Sequence, residues 1–181
     1  MIVVGGVPGA GKTTLARRLA DALHVPAIAR DEIREGMHVT VGSDDPSEAR
    51  RFSDASFETF WAVVQDLLGA GVSVVAEAAF HRDLAASDFA ATCEQSDLVL
   101  VWCVVDPSVA LARYRARAPL RHPAHADGVY AARMAHPAFD ASVYDPPPGP
   151  WPIVAVDTSG PEPVPDIFEL CRVVQDGLER A

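Results

Sequence analysis

The sequence predicts an α/β fold built on a mainly parallel sheet. Three observations carry that prediction. Short apolar runs alternate with longer stretches of helical periodicity over the 181 residues. A glycine-rich turn joins the first apolar run, Met1–Val4, directly to a helical stretch, Thr14–Leu23. Asp31, Glu77 and Asp157 each stand at or just past the end of an apolar run. In a parallel sheet all strands end at one edge, and ligands bind beyond it. Gly6, Asp31, Glu77 and Asp157 are thereby expected at a single site.

The elements follow in order. Leu15, Ala16, Leu19, Ala20, Ala22 and Leu23 mark one apolar helix face, which ends at His24-Val25-Pro26. Ala27–Ala29 is a short second strand running directly into Arg30-Asp31-Glu32-Ile33-Arg34. Residues 36–46 hold Gly36, Gly42, Asp44, Asp45 and Pro46 and read as a loop. Asp45-Pro46 starts a long helix to about Leu68, with Phe52, Phe60, Trp61, Val64, Leu67 and Leu68 on its buried face and Gly69 and Gly71 beyond it. Val72–Ala76 is a buried third strand, and His81-Arg82-Asp83 opens a helix to about Cys93. Leu98–Val105, the most apolar stretch, is a central strand. Asp106-Pro107 starts the next helix. A polar connection follows over 118–127, then a short helix over Gly128–Met134 and an irregular proline-rich approach over 145–152. Ile153–Val156 is the last strand and Asp166–Arg180 the last helix.

The chain suits a single domain over residues 1–181 with a sizeable core. It has 15 Lys and Arg against 25 Asp and Glu, a net charge of −10. An acidic surface repels phosphate backbones and makes nucleic acid an unfavoured partner. Cys93, Cys103 and Cys171 lack metal-ligand spacing and point to a reducing compartment. No stretch is long and apolar enough for a membrane span, and a cytoplasmic protein, monomer or homodimer, is expected.

Gly6, Gly11, Lys12 and Thr13 stand at the spacing G-x-x-x-x-G-K-[ST] of a Walker A phosphate loop, between a strand and a helix as that motif requires. Gly6, Gly9 and Gly11 let the backbone curl so that its N–H groups converge on an anion, and Pro8, Ala10 and Thr14 complete the cradle. Lys12 adds a full positive charge at the β/γ bridge of a nucleotide. The Thr13 hydroxyl is placed to ligate Mg²⁺. Asp31, one strand away, is placed to take the proton of an acceptor hydroxyl or to orient it, and Arg34 lies on the same helical face if a turn of helix begins there. Helix capping is the plainer role open to Asp31, and the two roles are compatible.

The stretch Val-Gly-Gly-Val-Pro-Gly-Ala-Gly-Lys-Thr-Thr-Leu-Ala-Arg-Arg-Leu-Ala, followed by Arg-Asp-Glu-Ile-Arg, resembles the small P-loop kinases related to polynucleotide kinase, chloramphenicol phosphotransferase, gluconate kinase and zeta toxins. The resemblance is specific in residues 2–34 and weak in the substrate-facing parts. It implies a P-loop NTPase three-layer α/β/α sandwich with a five-stranded parallel sheet of order 2-3-1-4-5. It also implies an ATP·Mg²⁺ donor, Asp31 as base, Arg34 on substrate, and a helical arginine-bearing lid at about 114–135.

Val74-Val75-Ala76-Glu77 has the outline of a Walker B strand, whose acid holds Mg²⁺ through water. Relatives usually carry Asp near this place. Glu77 therefore stands open between metal, acceptor and a plain strand-end role, and His81 and Arg82 are nearby candidates for substrate contact. Arg113, Arg117 and Arg121 recur every four residues and line one face if the helix persists. A solvated face explains the row poorly, because like charges repel unless an anion lies between them. By the resemblance Arg113 is the adenine-side residue, Arg117 or Arg121 reaches the transferring phosphate, and Asp157-Thr158 borders the adenine. His122, His125 and Asp127 are read as lid or pocket residues in preference to a metal site, and the acceptor pocket as drawn from residues 35–60, 78–84 and 118–145.

The leading expectation is an ATP-dependent phosphotransferase acting on a hydroxyl of a small molecule. A polynucleotide 5′-hydroxyl kinase is the alternative closest in sequence, disfavoured by the acidic balance. A regulatory nucleotide-binding ATPase would not need Asp31-x-x-Arg34. A zeta-like toxin is a further kinase variant.

Overall fold

A computed structural model describes residues 1–41, 46–120 and 127–178. Five parallel strands, β1 (Ile2–Gly6), β2 (Ala27–Ala29), β3 (Val75–Glu77), β4 (Val99–Val104) and β5 (Ile153–Asp157), pair in the order β2-β3-β1-β4-β5. This is the order the resemblance implies. The helices are α1 (Lys12–Leu23), α2 (Arg30–Val41), α3 (Pro46–Gly69), α4 (Arg82–Cys93), α5 (Pro107–Arg117), α6 (Asp127–Met134) and α7 (Ile167–Leu178).

Strand alternation divides the interior into two cores. Ile2 and Val4 of β1 face Leu15 and Leu19 of α1 and Leu170 and Val174 of α7. Met1 and Val3 face the other way, toward Phe60 and Val64 of α3 and Ala85 and Phe89 of α4. Covered on both faces, β1 and β4 need apolar residues at successive positions, which is why they read as unbroken hydrophobic runs. The second core is strongly aromatic. Phe60 and Phe80 have ring centroids 6.1 Å apart, Phe80 and Phe89 5.0 Å, and Phe89 and Trp151 5.8 Å. Gly5 pairs with Trp102 across the β1–β4 ladder, and a Cβ on Gly5 would lie 2.2 Å from the indole. That glycine therefore serves the packing of the second core.

Most boundaries fall within two residues of expectation, and three larger departures have a visible cause. Residues 36–41, read as loop, continue α2 to Val41. The cause is tertiary: His38 is 1% exposed and packs edge-on to the Phe52 ring of α3, 4.7 Å between centroids. This packing outweighs the roughly 1 kcal/mol that Gly36 costs inside a helix. β3 begins at Val75 where Val72 was expected, because the Val72 N–H still donates to the Leu67 carbonyl at 2.9 Å in the turn that closes α3. The helix of the arginine row stops at Arg117 and tightens into a 3-10 turn, Ala118–Leu120. The premise that this helix persists to Arg121 is thus not met, and Arg121, His122 and His125 lie outside the described residues. Among the described residues, no helix is long and apolar enough to cross a membrane.

Candidate active site

The carboxyl ends of β1, β2, β3 and β5 bring the predicted residues to one edge of the sheet. After β1 the chain turns through Gly9 and Gly11, whose φ angles of +86° and +77° are in the left-handed region. Gly11 is the N-cap of α1, and a Cβ on Gly9 would lie 2.3 Å from the Ala110 carbonyl. Gly6 ends β1 and also has positive φ, as the motif predicts. Ala10 is fully buried, and its carbonyl accepts a hydrogen bond from Thr158 Oγ1 at 2.8 Å.

Lys12 opens α1. Its side chain is largely buried, and Nζ donates to the Val7 carbonyl at 3.1 Å across the loop. Thr13 Oγ1 donates to Glu77 Oε2 at 3.0 Å. Glu77 is the last residue of β3 and only 3% exposed. Burial pushes its carboxyl above the ordinary carboxylate range, and the nearby Lys12 charge offsets this in part.

A cavity of about 360 Å³ opens above these groups. Pro8, Gly9, Gly11, Lys12, Thr13 and Thr14 line its floor. Asp31 and Arg34 of α2 stand on one wall and Arg117 of α5 on another, and Glu77 lines it as well. Asp31 and Arg34 are one helical turn apart, as their spacing predicts. Asp31 lies in the first turn of α2, past the capping position, and pairs with Arg30 at 3.2 Å. The Nε atoms of Arg34 and Arg117 are buried without a hydrogen-bond partner among the described residues, and the Arg117 guanidinium lies 5.0 Å from the Tyr114 ring centre.

Arg113 stands apart from this cavity. Its guanidinium donates to the Thr158 carbonyl at 2.7 Å and the Gly160 carbonyl at 3.1 Å, and it shares a second groove of about 250 Å³ with Gly11, Thr14 and Thr158. Asp157, at the end of β5, is exposed. It accepts the Ser159 N–H at 2.8 Å, which holds its carboxyl below the usual range. Thr158, not Asp157, lines the groove.

The cavity also takes in residues that no motif marked. Arg30 is 8% exposed, donates to the Ser53 carbonyl at 2.9 Å and lies 4.3 Å from the centre of the Phe57 ring. Burial pulls its pKa down and Asp31 pulls it back up. Tyr114, Tyr130 and Tyr144 line the same space, and the Tyr130 and Tyr144 hydroxyls are hydrogen-bonded to each other. Ser53, Phe57, Ala79, His81, Tyr130 and Tyr144 fall within the segments expected to build an acceptor pocket.

An AAA domain family, AAA_33, matches residues 1–136. The chain belongs to this family. Among solved structures it is similar to a protein of Chloroflexus aurantiacus assigned as a kinase. That likeness has a TM-score of 0.82 and 26% identity and covers 98% of this chain and 97% of the other. A gluconokinase from Sinorhizobium meliloti shares the fold at a TM-score of 0.55 and 20% identity, over 99% of this chain and 91% of the other. A sugar kinase from Janibacter shares it at 0.59 and 14%, over 98% and 93%. No curated protein matches in sequence. By fold and family the chain stands in the small P-loop kinase group, as the opening motif and the Asp31–Arg34 pair suggest.

Proposed function

We propose that this AAA-family protein is an ATP-dependent phosphotransferase that moves the γ-phosphate to a hydroxyl of a small molecule. The observation that carries the proposal is the meeting of Lys12, Thr13, Asp31, Arg34, Glu77 and Arg117 around one cavity. Its volume of about 360 Å³ is in the range of small-molecule sites.

The residues fit a magnesium-bound nucleotide. Thr13 Oγ1 and Glu77 Oε2, 3.0 Å apart, are a pair of hard oxygen donors of the type Mg²⁺ takes. Thr13 would hold the metal directly and Glu77 through water. ATP·Mg²⁺ supplies the phosphoryl group and a leaving group whose charge is already neutralised in part. Gly6, Pro8, Gly9, Ala10, Gly11 and Thr14 shape the phosphate cradle, and Lys12, whose Nζ donates to the Val7 carbonyl, would supply a positive charge to the β- and γ-phosphates. Arg113 and the loop of Asp157 and Thr158 border the base. Asp31 takes the acceptor proton as the new P–O bond forms and the bond to the β-phosphate breaks. Arg34 positions the acceptor. Arg117, in a lid over about 114–135, offsets charge on the transferring group, a role worth roughly 10³–10⁵ in rate in other P-loop enzymes. Arg121 belongs to the same lid segment.

A coupled assay of ADP release over polyols, amino alcohols, aryl alcohols and nucleosides tests this reading. Asp31→Asn should lower kcat by roughly 10²–10⁴ while the ATP KM stays within about twofold. Equal loss of ATP affinity would move Asp31 to the nucleotide side. Absence of acceptor-stimulated turnover across the panel would sink the proposal.

A further inference from the structure

A second chamber opens beside the first. Its volume is about 430 Å³, and Phe57, Trp61, Phe80, Leu84 and Ala85 give it a mainly apolar wall, with Glu58, Gln65 and Asp88 at its polar edge. Phe57, Ala79 and His81 line both chambers, so the two are contiguous. The apolar chamber lies between α3 and α4, on the sheet face away from the phosphate loop's helix.

Two features show that this space is more than loose packing. Leu84 is 71% exposed, and a leucine left in water on a chamber wall gains by being covered. His81 stands at the junction of the chambers. It precedes α4 without capping it through its side chain, and its Nδ1 is buried with no hydrogen-bond partner among the described residues. A buried ring nitrogen left unpaired costs stability unless a ligand meets it. A compact polyol would engage the polar chamber and leave both features unanswered.

We infer that the acceptor is an amphipathic alcohol, with its hydroxyl beside Asp31, an uncharged aromatic or branched alkyl body in the apolar chamber, and a polar atom between them bonded to His81 Nδ1. This rests on the phosphotransfer reading above and narrows its substrate class. Trp61 and Leu84 select the body by contact, and His81 sets how far the hydroxyl reaches into the polar chamber.

The experiment compares 1-phenyl-1,2-ethanediol with xylitol and gluconate in the ATP-coupled assay. In parallel, binding of the phenyl diol to the ADP·Mg²⁺-loaded protein is followed by the fluorescence of Trp61. The other two tryptophans, Trp102 and Trp151, are buried away from this chamber. The expected result is a kcat/KM for the phenyl diol at least about tenfold above that for xylitol. Leu84→Asp should raise the KM for the phenyl diol about tenfold or more with kcat within about twofold. Its thermal midpoint reports folding, and Ala91→Glu on the same wall serves if it does not fold. Turnover of xylitol or gluconate with no advantage for the phenyl diol overturns the inference and leaves phosphotransfer standing. Phenyl diol binding that Leu84→Asp abolishes, without turnover of any alcohol, upholds the chamber as an apolar ligand site and defeats phosphotransfer. Absence of both binding and turnover overturns the inference.

Discussion

Glu77 is a buried carboxylate, and the metal role proposed for it needs its charge. Burial favours the protonated form, so the folded state binds a proton more readily than the unfolded chain does. The cost of ionising it is absent below its ordinary pKa of 4.5 and fully present once pH exceeds the raised folded value. Glu77→Gln keeps an acceptor for the Thr13 hydroxyl and removes that cost. We expect the nucleotide-free variant to melt higher than wild type at pH 8, with the difference shrinking as pH falls toward 4.5. Thermal unfolding at several pH values measures this, and a difference independent of pH would assign the gain to something other than the charge. The same substitution should cost activity if Glu77 serves the metal. At this scale the sequence singles out Lys12 and Thr13 by motif spacing, Asp31 by its place after the second strand, and Arg34 and Arg117 by helical spacing together with the family resemblance, and all five line one cavity. No motif marks Arg30, since an arginine beside a strand end ordinarily points to water, and it is the Phe57 ring and Ser53 that bury this one.

At the scale of elements, the segment after β5 is tied to the phosphate loop by one side chain. Thr158 Oγ1 lies 2.8 Å from the Ala10 carbonyl and 3.0 Å from the Val104 carbonyl, while Arg113 of α5 grips the carbonyls of the same segment. Thr158→Val keeps the shape and leaves the buried Ala10 carbonyl without that partner. It should destabilise the protein by about 1–3 kcal/mol and raise the ATP KM. Urea denaturation and steady-state kinetics check the two effects, and a loss of stability with unchanged KM would detach this segment from nucleotide binding. Element boundaries were read well where capping and burial agree, as at Pro107, where Asp106 accepts the Ser108 N–H at 2.7 Å. They were misread where a distant partner decides. Nothing local announces that His38 will be buried against Phe52, so Gly36 looked like the end of a helix it lies within. The apolar chamber is illegible for the same reason, since its walls come from two helices, α3 and α4, that meet only in the fold.

At the scale of the whole molecule, the sheet separates two packing problems. Leu19 belongs to the core of α1 and α7 and Phe60 to the core of α3 and α4. Phe60→Ala removes a fully buried ring from the aromatic layer and should cost about 3–5 kcal/mol of stability. Because that layer does not include the phosphate loop, the Kd for ADP·Mg²⁺ below the melting transition should stay within about twofold. Urea unfolding with calorimetric titration tests both statements, and a large loss of nucleotide affinity would show that the two cores are coupled. The alternation of apolar and helical stretches announced the layered fold. The division of labour between its faces emerges only once β1 is seen to send Val4 one way and Val3 the other.

That division bears on how such a protein changes over generations. The helix behind the phosphate cradle is anchored on one side of the sheet, and the walls we assign to the acceptor are anchored mainly on the other. Trp61, Leu84 and Ala85 line the apolar chamber alone, so substitutions can accumulate there without passing through the cavity above the phosphate loop. On the proposed function, a lineage on this scaffold can exchange one acceptor for another while inheriting the phosphate loop intact. Grafting α3 and α4 between relatives is the corresponding route for an engineer.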